Sequence, residues 1–184
     1  MSAPQLFTPY KLRNLELANR IVIAPMCQYS AENGCMNDWH MMHLGQLAQS
    51  GAGLLTFEAS AVSPEGRITW ADVGLYSDAS EAAMKRVVDG IRRWSSVPLA
   101  IQLSHAGRKA STARPWDNAG PYAPDHEKGW QTVAPSAVAW SAESTPPQAL
   151  DEAGLAAIRD SFAQAATRAA RLGFDVIQLH AAHG

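Results

Sequence analysis

Short apolar runs alternate with longer segments of helical periodicity, and this alternation constrains the fold more than any other feature of the chain. Such a pattern is typical of βα units arranged around a parallel sheet. The apolar runs predict strands over residues 20–23, 54–61, 99–103 and 175–180, and the periodic segments predict helices over about 39–49, 78–94 and 151–171. A short hairpin is predicted around residues 11–14, before the first unit.

Residues with known start and stop preferences support these boundaries. Pro25 ends the first strand because it cannot donate to a strand ladder. Asp78 and Asp151 are the predicted N-caps of the second and third helices, and Gly173 ends the third. The interval 104–150 has no helical period and is rich in Pro, Gly, Ser and Trp. A loop of that length usually has a function, so we expect it to form part of a pocket rim, with Trp116 or Trp130 as aromatic walls.

The number of units sets the fold class. A closed (β/α)8 barrel, or TIM barrel, contains eight βα units in about 250 residues. The 184 residues here supply four units and a hairpin, so we expect an α/β fold in which residues 1–184 form the N-terminal half of a single barrel domain. Half a barrel leaves strand edges unpaired at strands one and four.

Composition excludes several classes of partner. Hydrophobic residues make up 47% of the chain, enough for the core of one domain, and the net charge of −2 provides no basic surface for nucleic acid or anionic lipid. Residues 1–20 lack the basic and apolar regions of a signal peptide, and no apolar run reaches the roughly 18 residues of a membrane span. Two cysteines, Cys27 and Cys35, are too few for a disulfide framework. We expect a soluble cytoplasmic protein.

In a parallel βα array the chemistry gathers at the carboxyl ends of the strands. The residues at those ends are Cys27, Tyr29, Glu58, Ala59, Gln102, His105, His180 and His183. Two imidazoles three residues apart, as in His180 and His183, can both donate to one anionic oxygen. A metal pair, or two histidines bonded to nearby backbone, are the alternatives. A metal site needs a third protein ligand, and neither Glu58 nor His105 has matching spacing, so no metal site is predicted.

Three other features have more than one interpretation. Cys27 is a nucleophile, a cofactor tuner or a small buried hydrophobic residue. Gln102 ends a buried strand and needs a partner that both donates and accepts, such as the edge of a flavin or a base. The run from His105 to Lys109 places two cations either at a pocket mouth or in a solvated loop. A second histidine pair, His40 and His43, lies on a predicted helix and is interpreted as structural.

Four segments together carry a resemblance to a known family. They are the runs NRIVIAPMC at 19–27, EASAV at 58–62, IQLSHAGRK at 101–109 and HAAHG at 180–184. In this order and spacing they closely resemble the Old Yellow Enzymes, and Cys27 indicates the branch called thermophilic-like, which includes NADPH dehydrogenases and xenobiotic reductases. The resemblance extends from Leu6 to Gly184.

The resemblance implies a role for each matching position. The positions implied to bind FMN are Ala24, Pro25, Met26, Cys27, Ala59 and Gln102, with Cys27 tuning the redox potential and Gln102 bonded to the pyrimidine edge. The positions implied to bind substrate are Tyr29, His180, Ala181, Ala182 and His183. His180, His183 and Cys27 are the implied catalytic residues, and both histidines bind the carbonyl oxygen of the substrate.

The implied activity is an FMN-dependent NAD(P)H oxidoreductase, or ene-reductase. It transfers hydride from NADPH or NADH through flavin N5 to the C=C bond of an enone or enal. The family's phosphate-binding loops and proton-donating tyrosine would follow Gly184. We therefore expect either a piece of a longer enzyme or a half-barrel that is inactive until it binds a complementing C-terminal half. A homo-oligomer is the other partner that the resemblance implies.

Overall fold

A computed structural model of the chain describes residues 4–182. The strands are β1 (Tyr10–Leu12), β2 (Leu15–Leu17), β3 (Val22–Ile23), β4 (Leu54–Ala61), β5 (Leu99–Ser104), β6 (Val133–Ala134), β7 (Gln148–Ala149) and β8 (Val176–Leu179). The helices are α1 (Asp38–Leu47), α2 (Asp78–Arg92) and α3 (Glu152–Arg171), and short 3₁₀ turns cover Gln5–Phe7 and Gly107–Lys109. No helix within residues 4–182 is long and apolar enough to cross a membrane.

The central sheet within the described chain has four parallel strands in the order β3-β4-β5-β8. Every residue of β4 and β5 is buried, as expected for strands covered on both faces. The strands β3 and β8 lie at the two edges, which confirms the predicted arrangement. This is the sheet order of four successive βα units.

All three helices pack on one face of this sheet. Residues two apart on β4 and β5 point to the same face, and they meet the apolar stripe of each helix. The main contributors are Leu55, Phe57, Leu99, Ile101, Leu103, Leu44, Met84, Val87, Val88, Ile91, Ala165 and Ala169. Phe57 and Phe174 pack edge to face with their ring centroids 4.9 Å apart. The opposite face of the sheet is therefore the interior of the partial barrel.

The predicted hairpin closes one end of that interior. The strands β1 and β2 pair antiparallel, with Leu12 opposite Leu15. Leu17 is buried against Leu54 and Ala100, which lie near the amino ends of β4 and β5. The carboxyl ends of the strands remain open on the other side.

Strand β4 contains one extra residue relative to β5. Phe57 pairs with Ile101 and Ala59 pairs with Gln102, so Glu58 forms a β-bulge between them. A bulge changes the face to which the following side chains point, and bulges are frequent beside active sites. The hydroxyl of Ser60 donates to the carbonyl oxygen of Glu58 at 3.0 Å, which satisfies that group within the core.

The predicted N-cap of α2 is wrong, whereas both predicted ends of α3 are confirmed. Ser77, and not Asp78, is the N-cap of α2, because its hydroxyl accepts the Ser80 N–H at 3.1 Å and Asp78 is already helical. Asp151 caps α3 as predicted, accepting the Gly154 N–H at 2.8 Å. Helix α3 also ends at the predicted position, Arg171.

The first strand is shorter than predicted, with two residues in place of four. The reason is that the backbone N–H groups of the two residues before it bond outside the ladder. The backbone N–H of Arg20 donates to the Leu6 carbonyl at 2.9 Å, and the N–H of Ile21 donates to the Asn19 side chain at 3.0 Å. The fourth strand is likewise trimmed at both ends, since Asp175 and His180 lie outside β8.

Two glycines of the first βα unit provide a matched test of this packing. An added Cβ at Gly53 would lie 2.2 Å from the backbone oxygen of Asn19, whereas at Gly45, within α1, it would meet nothing within 4 Å. We expect Gly53→Ala to lower the free energy of unfolding by about 1–3 kcal/mol. Gly45→Ala should raise it by about 0.5–1 kcal/mol, because alanine is the better helix former.

Urea unfolding followed by circular dichroism measures both changes. Equal stability of the Gly53→Ala variant and the parent would show that the chain does not pass as closely to Asn19 as the structure indicates.

Candidate active site

A cavity of about 400 Å³ opens at the carboxyl ends of the parallel strands. Its lining consists of Pro25, Cys27, Tyr29, Ala59, Ile68, Gln102, Ser104, His105, Ala106, Lys109 and His180. These residues follow or end all four strands of the sheet, as the position of active sites in βα barrels predicts. The volume is in the range of small-molecule sites in proteins.

The structure brings six of the predicted site residues together in this cavity: Pro25, Cys27, Tyr29, Ala59, Gln102 and His180. Four others, Ala24, Met26, Ala181 and Ala182, are exposed and are not among the lining residues of the described chain. Met26 is 67% exposed. His183 lies outside the residues that the structure describes. The binding and catalytic roles assigned to all eleven residues, inside and outside the cavity, stay predictions.

Some lining residues were missed by sequence reasoning. Ser104 lies two positions after Gln102 on β5, so strand periodicity alone places both side chains on the cavity face. Ile68 comes from the loop between β4 and α2, where no sequence signal marks it. Contact between a loop and a strand end depends on the folded path of the loop.

Gln102 has a protein partner that its sequence position did not reveal. Its Nε2 donates to Oε1 of Gln178 on the adjacent strand β8, at 3.0 Å. Gln102 is only 9% exposed, so this bond fixes the amide within the sheet. A glutamine amide has a second N–H and a carbonyl oxygen, and these groups can bind a ligand edge that both donates and accepts.

Cys27 is a protonated thiol in this environment. Burial raises the pKa of Cys27 to about 12, and the nearby carboxyls of Asp72 and Glu58 act in the same direction. Hydrogen bonding at the Ala59 backbone and the Tyr29 side chain opposes the shift without reversing it. Because a thiolate is the nucleophilic form, this environment favours a role as a neutral contact over nucleophilic attack.

Tyr29 is held in an uncommon backbone conformation. Its φ of 48° lies in the left-handed region, which non-glycine residues seldom occupy outside constrained sites. Its ring packs edge to face with Trp116, with 5.7 Å between centroids. Burial also raises the pKa of Tyr29 to about 12, so the phenol remains a hydrogen-bond donor at neutral pH. Trp116 thus contacts a residue of the cavity, and its role as an aromatic wall stays a prediction.

The two basic residues of the loop after β5, Arg108 and Lys109, pack on an aromatic ring. Lys109 Nζ lies 4.1 Å and the Arg108 guanidinium 5.6 Å from the ring centroid of Trp140. Lys109 also lines the cavity, so this loop forms part of the cavity mouth. Trp130 has a different place, since its indole N–H donates to the Glu65 carbonyl at 2.9 Å and it lines another depression with Arg67.

The second histidine pair lies on α1, outside the cavity. His40 is fully buried, and His43 stacks on Trp39 at a centroid distance of 6.5 Å. No group of three or more His, Cys, Asp or Glu residues between positions 4 and 182 could hold a metal ion.

The raised thiol pKa has a measurable consequence. We expect alkylation of Cys27 by iodoacetamide to keep accelerating up to about pH 10, because the thiolate fraction of the folded protein is still increasing there. Peptide mass spectrometry separates Cys27 from Cys35. A peptide of residues 22–30 is the matched control, and its rate should level off above about pH 9. A plateau at the same pH in the folded protein would contradict the assignment.

Comparison with known proteins identifies the family. A sequence profile of the NADH:flavin oxidoreductase / NADH oxidase family matches residues 5–184. An NADH:flavin oxidoreductase of Gibberella zeae is 45% identical over 183 residues, which cover 98% of this chain and 44% of that protein. An NADPH dehydrogenase of Listeria monocytogenes is 41% identical over 182 residues, covering 98% of this chain and 49% of that protein.

Solved structures agree. Morphinone reductase superposes with a TM-score of 0.80 at 32% identity, covering 98% of this chain and 49% of its own. An Old Yellow Enzyme from Pichia sp. superposes with a TM-score of 0.83 at 26% identity, covering 99% of this chain and 47% of its own. The chain thus spans about half the length of the relatives it matches. It belongs to the NADH:flavin oxidoreductase / NADH oxidase family and has the fold of half an Old Yellow Enzyme barrel.

Proposed function

We propose that this chain is part of an FMN-dependent NAD(P)H oxidoreductase that reduces the C=C bond of α,β-unsaturated aldehydes and ketones. The observation that carries the proposal is the cavity at the strand ends, where Cys27, Gln102 and His180 lie together in a chain of this family. Residues 1–184 are proposed to be the first half of a single FMN-binding barrel domain.

The residues of the cavity fit a flavin. Pro25, Cys27 and Ala59 provide a wall of small uncharged side chains, and the Gln102 amide is anchored by Gln178 with hydrogen-bonding capacity to spare. An isoalloxazine ring is flat and largely apolar, and its pyrimidine edge both donates and accepts. FMN, when bound, would supply the hydride chemistry with NADPH or NADH as reductant.

His180 is proposed to hold the carbonyl oxygen of the substrate. His180 lines the cavity, and its backbone N–H donates to the Leu103 carbonyl at 2.9 Å, which fixes the residue at the end of the sheet. Negative charge develops on that oxygen as the C=C bond is reduced, so an N–H donor stabilises the transition state more than the bound substrate. His183 is proposed as the second donor, and Tyr29 as a substrate contact.

The two edge strands of the sheet support the proposal that this chain is half of a barrel. Apolar side chains on or beside the edge strands are exposed: Val22 by 51%, Ile177 by 38% and Leu179 by 63%. Exposed edges and apolar residues of this kind are unusual in an isolated domain. We infer that β3 and β8 pair with further strands in the active protein, so that a half-barrel alone would need a complementing C-terminal half.

Phenol binding tests the role of His180 in the full-length, flavin-loaded protein. A phenolate resembles the charged oxygen that builds up during reduction, and its stacking on the flavin should give a long-wavelength absorbance band. Removing one donor to a charged group should weaken phenol binding about ten- to hundredfold in His180→Ala, with a further loss when His183→Ala is added. Flavin should remain bound through Gln102 and the residues around Cys27.

His43→Ala is the matched control, because His43 lies on α1 outside the cavity. It should bind phenol like the parent. Unchanged phenol affinity in the His180→Ala, His183→Ala double variant would exclude these histidines as the oxyanion donors.

A second test concerns Cys27 as a cofactor tuner. Because its neutral thiol forms part of the wall, Cys27→Ala should shift the flavin midpoint potential while turnover remains measurable. Spectroelectrochemical titration measures the potential, and Cys35→Ala, whose side chain is outside the cavity lining, should leave it unchanged. Complete loss of turnover with flavin still bound would contradict the tuning role.

A further inference from the structure

Glu58 is a buried carboxyl group beside the proposed active site that the reaction described above does not use. It is 2% exposed and is the extra residue of the bulge in β4. One of its carboxyl oxygens, Oε1, accepts the backbone N–H of Gln28 at 3.1 Å. Its side chain therefore points away from the cavity, toward the segment that follows β3.

His40 of α1 faces the other oxygen of this carboxyl group. The ring is 0% exposed, and its Nε2 lies 3.9 Å from Glu58 Oε2. Neither atom has a hydrogen-bond partner within the described chain. The other ring nitrogen, Nδ1, lies 3.1 Å from the Asn37 backbone nitrogen and 3.0 Å from the Asn37 side-chain oxygen. The helix start thus fixes the ring against Glu58.

Burial keeps this pair uncharged. It raises the pKa of Glu58 to about 8, against the opposing effect of the Gln28 N–H, and it lowers the pKa of His40 to about 4. At a separation of 3.9 Å the attraction of an ion pair does not offset the desolvation of both groups. Glu58 and His40 form a neutral polar contact between strand β4 and helix α1.

Within residues 4–182, the segment that Glu58 contacts, residues 24–28, forms no strand ladder with the sheet. Strand β3 ends at Ile23, and Pro25 has no N–H to donate. The side chain of Gln28 bonds to Met26 O at 2.8 Å and accepts from the Trp39 indole at 3.2 Å, both at exposed positions. The bond from the Gln28 N–H to Glu58 is a part-buried tether of this segment, one residue after Cys27, and it acts beside the hydrogen bonding of Cys27 at the Ala59 backbone.

We propose that Glu58 is a positioning residue of the enzyme: by holding the backbone N–H of Gln28, it fixes Cys27 at the wall of the cavity. His40 supports the carboxyl group from the side of α1. The proposal rests on the proposed function for its effect on turnover. Its effect on the exposure of Cys27 is independent of flavin and of activity.

The test uses the full-length protein and three variants. Glu58→Leu removes the acceptor at similar size, Glu58→Gln retains a carbonyl oxygen for the Gln28 N–H, and Thr56→Val is the control at another buried position of β4. The alkylation rate of Cys27 is measured on the flavin-free protein at about pH 6, where Glu58, with a pKa of about 8, is uncharged, so neither Glu58 variant removes a charge that acts on the thiol. The flavin absorption spectrum, kcat and KM for enone reduction are measured on the loaded protein.

Loss of a hydrogen bond of this kind corresponds to about a three- to tenfold change, so Glu58→Leu should alkylate faster and turn over more slowly by that factor. Its flavin spectrum should shift, while KM stays close to that of the parent. Glu58→Gln and Thr56→Val should remain within about twofold of the parent in every measurement. Equal impairment of both Glu58 variants, or parental behaviour of Glu58→Leu, would overturn the proposal.

Failure of the proposed function and failure of the role proposed for Glu58 give different results. A parent protein that binds no flavin or reduces no enone would refute the proposed function, whereas the alkylation contrast would still decide the role of Glu58. If Glu58→Leu does not fold, hydrogen exchange of the parent decides. The Gln28 amide should exchange far more slowly than the amides of the exposed residues Asn118 and Ala119, and exchange at their rate would overturn the proposal.

Discussion

The parallel pairing of β4 with β5 is the constraint on which the rest of the structure depends. Both strands are buried along their whole length. Side chains on one face of the sheet pack against the helices. Those on the other face contact the hairpin near the amino ends of the strands and line the cavity near the carboxyl ends. Parallel alignment also pairs Ala59 with Gln102, and both residues line the cavity. The position of the site thus follows from the pairing that forms the core, and the segments that follow the strands complete its lining.

The bulge at Glu58 modifies this pairing at one point. Without an extra residue, the alternation that places Leu54 and Thr56 toward the interior would place Glu58 there as well, with a carboxyl group inside the barrel. The insertion moves that inner position to Ala59, which lines the cavity, and turns Glu58 toward α1 and the segment after β3. One irregularity therefore clears the cavity wall of a carboxyl group and ties the neighbouring segment to the sheet.

Features that depend on local sequence were predictable, and features that depend on register were not. Helix α3 could be bounded because its cap, Asp151, and its apolar period are both local signals. The choice between Ser77 and Asp78 could not be made, since both are good caps and only the folded turn decides between them. The bulge and the Gln102–Gln178 bond require knowledge of which residues face each other across two strands. His40 could be assigned to a helix, but its contact with Glu58 joins two elements and has no sequence pattern.

Burial produces a common electrostatic effect around the site. The pKa values of Cys27, Tyr29 and Glu58 are raised and that of His40 is lowered, so in each case the uncharged form is favoured. Of these groups, Cys27 and Tyr29 line the cavity and give its wall neutral side chains, whereas the cation of Lys109 lies at its mouth. In a low-dielectric cavity, however, a fixed N–H donor interacts strongly with charge that appears during a reaction. A developing enolate oxygen meets this condition, so the neutral side chains of the cavity wall are compatible with the proposed reaction.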